Sequence, residues 1–160
     1  MRILLQITIL ISFSAIAADE EWGNINAWDT NGFAQTHITY PDKSTKTFQA
    51  GIGDAPNGKQ IVEFRFFDSS HEICNSQNQN EFSDVILKIN GKRIKMKAGC
   101  KRISILSTLH YYAATEAGNS HIVKSFKNNN FVPVNIQGYD VEIPAQGFEA
   151  AWESYGGDAI

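Results

Sequence analysis

From Val132 to Ile143 every second residue is apolar, with one interruption at Gln137-Gly138. A two-residue turn there sets Ile136 opposite Tyr139, Val134 opposite Val141 and Val132 opposite Ile143, so six side chains share one face of a hairpin. Asn135, Asp140 and Glu142 then face water. Pro133 joins them, at a position that fits an edge strand or an unused donor. On both sides the period lengthens to that of a helix. After Pro144, Phe148, Ala151, Trp152 and Tyr155 recur at i, i+3, i+4, i+7, and Gly156-Gly157 ends the stripe. Upstream, Ile122, Val123 and Phe126 form a shorter stripe. Thr115 is placed to cap that helix, Lys124 and Lys127 suit its C-terminal dipole, and Asn128, Asn129 and Asn130 can stop it. A helix, a hairpin and a second helix therefore share a core in the last third of the chain.

Earlier residues read mostly as strands. Residues 22–32 are polar and turn-rich, with Trp22 and Trp28 as anchors. Residues 32–40 alternate up to a Pro41-Asp42 turn, and Phe48, Ala50 and Ile52 share a face. Residues 51–58, GIGDAPNG, read as a loop, because GxG without a following Lys-Ser/Thr or helix is a weak phosphate signal. Residues 60–67 make the clearest single strand: Val62, Phe64 and Phe66 share a face, while Ile61 and Phe67 point to a partly covered opposite side. Residues 84–98, DVILKINGKRIKMKA, form a second hairpin around Asn90-Gly91, a type I′ turn signal. That turn sets Val85, Leu87 and Ile89 opposite Met96, Ile94 and Lys92. It also sets Lys88 opposite Arg93 and Ile86 opposite Lys95. Residues 102–107 read as one further strand leading into Leu109 and Tyr111.

This second hairpin changes the picture of charge. Lys88, Lys92, Arg93, Lys95, Lys97, Lys101 and Arg102 are seven of the chain's 14 bases, and no acid interrupts them. Like charges facing each other across a ladder are costly, so Lys88, Arg93, Lys95, Lys97, Lys101 and Arg102 make a candidate binding surface. Three accounts compete: an anionic partner, whether a protein or an envelope component; an edge guarded by lysines against aggregation; and internal pairing with the acids at residues 19–21. Nucleic acid fits poorly, since aromatic residues do not interleave with the bases and the chain is acidic overall, at −3.

The first residues set the compartment. Met1-Arg2, the apolar ILLQITILISF and a small-residue site at Ala15-Ile16-Ala17 have the three parts of a secretory signal, predicted over residues 1–18. The run is shorter than the ~20 residues of a spanning helix, and no Cys follows it to carry a lipid. Residues 19–160 then form one secreted domain, periplasmic or extracellular, with no transmembrane anchor. Cys74 and Cys100 fit a disulfide in an oxidising compartment; the rival role for Cys74, a nucleophile near His71, would leave an oxidisable thiol there. Asp68, Ser69, Ser70, His71 and Glu72 gather a hydroxyl, an imidazole and carboxylates, yet read as a polar loop, because triad members usually come from separate elements. His37, His71, His110 and His121 match no metal spacing. Residues 75–81 read as an exposed loop.

At residues 141–155, VEIPAQGFEAAWESY, the tail resembles the invasion-associated locus B family of periplasmic bacterial proteins, which end in a strand, a Gly-Phe and a short Ala-containing helix. Gly118, Phe126 and the strand over residues 132–136 are compatible with the preceding element. The N-terminal half departs from that family in the placement of its Trp and Cys residues. The resemblance implies a β-rich periplasmic protein and carries over no catalytic residue.

The expected fold is α+β: a mainly antiparallel sheet or sandwich of seven or eight strands, with two short helices in the C-terminal third. The expected function is a non-enzymatic secreted or periplasmic binding protein acting through protein contacts, without metal or cofactor. The alternative is a small inhibitor or immunity protein against an envelope enzyme such as a cell-wall hydrolase, inserting a loop from residues 51–58 or 68–74. A hydrolase using Ser69 or Ser70 with His71 is the third reading.

Overall fold

The computed structural model describes residues 21–25, 27–68, 74, 81–103 and 106–156, with side chains for 27–68, 74, 81–101 and 108–156. The described residues form nine strands and two helices, in chain order: β1 (Glu21–Ile25), β2 (Phe33–Thr39), β3 (Thr45–Asp54), β4 (Gln60–Asp68), β5 (Phe82–Ile89), β6 (Lys92–Ile103), β7 (Leu106–Ala113), α1 (Glu116–Asn128), β8 (Phe131–Ile136), β9 (Tyr139–Pro144) and α2 (Phe148–Tyr155). All nine strands lie in one sheet, in the order β1-β2-β3-β4-β7-β6-β5-β8-β9. Every pairing is antiparallel.

Two meanders, β1–β4 and β5–β7, join where β4 pairs with β7, and the β8–β9 hairpin continues from β5. The sheet curls until β9 comes against β2 and β3, so it forms a nearly closed barrel rather than a sandwich of two sheets. Period-two alternation explains the inside. Phe48, Ala50 and Ile52 of β3, Val62, Phe64 and Phe66 of β4, and Leu87, Ile89, Ile94 and Met96 of β5 and β6 are all buried. Each large apolar side chain removed from water contributes about 1.5–3 kcal/mol. The helices complete this interior with Ile122, Phe126, Phe148 and Ala151. Tyr155, expected on the same stripe, is 40% exposed because α2 ends there beyond its packed turn.

The seam is latched from a distance. Trp28 Nε1 donates to the Pro144 carbonyl at 3.0 Å, and the Trp28 amide donates to Gln146 at 2.8 Å. The Trp28 ring packs edge-on against Phe126 and Phe148, with centroids 5.2 and 4.8 Å apart. Thr115 caps α1 through its hydroxyl, which accepts from the Gly118 amide at 3.1 Å.

Both hairpins have the expected registers. Asn90 and Gly91 take φ of 45° and 78°, Gln137 and Gly138 take 55° and 82°, and the strands beyond each turn pair as read from the sequence. Pro133 uses the second of its two allowances. β8 is an inner strand, but Pro133 lies past the β5 overlap, where its carbonyl accepts from Asn90 and no donor is needed.

Three boundaries differ from the sequence reading. Residues 22–25, read as turn-rich, belong to β1, which supplies the ninth strand because its backbone pairs with β2 whatever its polarity. Gly51 to Asp54 belong to β3 rather than to a loop, and only Ala55 to Lys59 form the connection. Gly51 is required there: a Cβ would lie 2.5 Å from the Phe33 ring, which crosses β3 at that point. Residues 102–107 are not one strand. β6 runs to Ile103 and β7 returns from Leu106, with Ile103 opposite Leu106.

Candidate functional site

The outward face of β5 and β6 carries the bases. Burial alternates as the hairpin register requires, so Lys88, Arg93, Lys95 and Lys101 are exposed, as is Lys92 beside the turn, while Lys97 is half-exposed. Arg102 lies in β6, but its side chain is outside the described residues. Two of these bases are already engaged. Lys97 and Lys95 bind the two oxygens of Asp84, at 2.8 and 3.0 Å. Lys97, then Lys95, hold the Asp84 carboxyl below its ordinary pKa, and Asp84 raises that of Lys97. Asp84 was detectable in the sequence, since the Asn90-Gly91 register puts it opposite Lys97. The expected pairing with residues 19–21 falls largely outside the described residues. Among the described residues, no carboxylate pairs with Lys88, Lys92, Arg93 or Lys101. Ile86 stands beside Lys95 and Lys88 on the same face and is 56% exposed.

A second polar assembly lies where β4 meets β7. Glu63, Arg65, Thr108 and His110 share the outer face there, because Arg65 stands opposite His110 in the ladder. The Arg65 guanidinium binds Glu63 Oε1, reaches Gln49 at 3.2 Å and stacks over the Phe33 ring at 4.5 Å. Glu63 Oε2 lies 3.2 Å from His110 Nδ1, and His110 Nε2 lies 2.7 Å from Thr108 Oγ1. Burial raises the Glu63 pKa, but the His110 hydrogen bond and the Arg65 charge outweigh it and hold the carboxyl at about 2. An ionised carboxylate can only accept, so His110 donates to it from Nδ1.

That hydroxyl–imidazole–carboxylate order has the connectivity of a nucleophile, a base and an orienting group. The adjoining cleft, about 220 Å³, is lined by Asp54, Phe82, Lys101, His110 and Tyr112 among others. Thr108 is not among its lining residues and is only 1% exposed. The line from Thr108 through His110 to Glu63 ties β7 to β4. Phe82 lies over Gly99 and packs on Tyr112, 5.4 Å between centroids, closing one side of the cleft.

The remaining candidates separate. Cys74 and Cys100 form a disulfide, with Cα atoms 5.6 Å apart. Ser69, Ser70, His71 and Glu72 lie outside the described residues, and Asp68 ends β4 with its carboxylate 3.3 Å from Lys46 Nζ. His121 Nε2 lies 3.1 Å from the Ile89 carbonyl. Among the described residues, no group of three or more His, Cys, Asp or Glu side chains could hold a metal. Of the two insertion loops considered, residues 51–58 shrink to a short turn, and 69–73 are outside the described residues. No described helix is long and apolar enough to cross a membrane. No family model, curated protein or solved structure matches the chain.

Proposed function

We propose that this chain is an extracytoplasmic, non-enzymatic binding protein that recognises a protein partner through the outward face of β5 and β6. The observation that carries this reading is the exposure of Ile86 amid Lys88, Arg93 and Lys95, with Lys88 and Arg93 paired to no described carboxylate. An apolar centre within a charged rim is the composition of a recognition patch. The disulfide supports an oxidising compartment, where such bonds persist, and fits the secretory signal read over residues 1–18. The tail's resemblance to the invasion-associated locus B family agrees with that location and adds no site residue.

Affinity capture from an envelope extract tests the reading. The baits are the mature protein and a Lys88→Glu/Arg93→Glu variant. Lys95 and Lys97 stay unchanged, because reversing them would crowd Asp84 with two new acids. One dominant partner, released by moderate salt and absent from the variant bait, is the expected result. The same partner on both baits would move recognition away from this face.

A further inference from the structure

Along residues 82–87, β5 pairs with β6 on one side, and among the described residues no strand pairs with its other side. β8 meets β5 at Lys88 and Ile89 alone, because the β8–β9 hairpin turns back at Gln137-Gly138 while β5 continues. Burial reports the same edge. Ile89, paired with β8, and Leu87, just beyond that pairing, are buried; Val85 is half-buried, and Ser83, on the same inward side, is exposed. At residues 82–84 both faces are exposed, as for a strand with one neighbour. Its outward side chains include Ile86, 56% exposed, and Phe82, 37% exposed.

An unpaired edge is a template for another strand, and charge decides which strand can use it. A second copy of this hairpin would set two surfaces of net positive charge side by side, which is unfavourable. An acidic strand would gain. It would lie next to Lys88, with Arg93 and Lys95 one strand further on, roughly 10 Å away at two strand spacings and within about one Debye length at 0.1 M salt. Asp84 offsets only one of the two charges of Lys95 and Lys97.

We infer that an acidic, extended segment of the partner protein adds to β5 as a further strand along residues 82–87, with an apolar side chain on Ile86 and carboxylates toward Lys88, Arg93 and Lys95. The inference rests on the proposed binding function and supplies the partner's chemistry and mode of attachment.

The probe is a synthetic ten-residue peptide alternating Glu with Val and Thr. Its control is the same peptide N-methylated at alternate backbone positions, which keeps every charge but removes the donors a strand needs. Binding to the mature protein is followed by amide hydrogen exchange and two-dimensional NMR. The unmodified peptide should protect those amides of residues 82–87 that point away from β6. N-methylation should weaken binding at least about tenfold, and Lys88→Glu/Arg93→Glu should do the same. Equal binding of both peptides would overturn strand addition while leaving charge recognition standing. Protection at β1 instead of β5 would overturn it too, as would binding to phosphatidylglycerol vesicles with none to peptide. If neither peptide binds but the charge-dependent partner is still captured, this inference falls and the proposed function survives. Loss of that capture would instead remove the function itself.

Discussion

Glu63 sits where burial favours its neutral form, yet His110 and Arg65 keep it ionised down to about pH 2. The folded-state pKa is lowered from 4.5, so as pH falls the unfolded chain takes up this proton first. The resulting stability is present above about pH 4.5 and is lost as pH falls through about 2. A shift of this size corresponds to about 3 kcal/mol. Glu63→Gln leaves the half-buried Arg65 guanidinium without its counter-charge, at a cost no greater than that of breaking a fully buried pair, about 3–5 kcal/mol. Urea unfolding at pH 7 should therefore show a deficit of about 3 kcal/mol in the variant, and the deficit should shrink as pH is lowered from 5 toward 2. A deficit that does not change with pH would mean that packing, and not the ionised carboxylate, is what the substitution removes. None of this network was visible along the chain. Glu63 and His110 are 47 residues apart, and no periodicity states that β4 and β7 are neighbours.

The two hairpins were legible as elements because each register is fixed by a two-residue turn between alternating strands. The turns differ in how well their residues suit them. Asn90-Gly91 is the favoured type I′ pair, whereas Gln137 takes a positive φ with a longer side chain. That side chain donates to the Tyr111 hydroxyl at 2.6 Å, satisfying a phenol that is 2% exposed. Gly91, at φ 78° with open space where a Cβ would stand, isolates the backbone cost. Gly91→Ala should lower stability by about 1–2 kcal/mol, the cost of the left-handed region for an L-residue. The urea midpoint should fall with an unchanged slope; no change in midpoint would mean that the turn relaxes to another type. The β6–β7 connection escaped the sequence reading because Ser104-Ile105 carries no Gly, Asn, Asp or Pro to mark it. β1 escaped because the sequence EWGNI does not alternate. Backbone pairing to β2 makes it a strand, and pairing leaves no trace in polarity.

At the scale of the molecule, the β4–β7 ladder joins the two meanders among the described residues, and a disulfide ties down the connection between them. Cys74 lies in the connection from β4 to β5, and Cys100 lies in β6, so the disulfide fastens that connection to the second meander. Both half-cystines are buried, at 0% and 8% exposure, so the bond is a component of the packed barrel. The pairing was legible because only two cysteines were available; its neighbours in space were not, since they depend on the curl of the sheet. With 26 residues separating the two cysteines, the chain-entropy model gives about 3.5 kcal/mol of stabilisation through the unfolded state. Cys74→Ala/Cys100→Ala should therefore fold to the same barrel with a melting temperature lower by about 10 °C. Its slope in urea should be steeper, because the uncrosslinked unfolded chain exposes more surface. Reduction of the wild-type protein should reproduce both changes. Since the tie acts on the unfolded chain, the peptide-induced protection of residues 82–87 should survive in the variant at a temperature where it remains folded. Loss of that protection in a folded variant would show instead that the disulfide holds the β5 edge in its binding position.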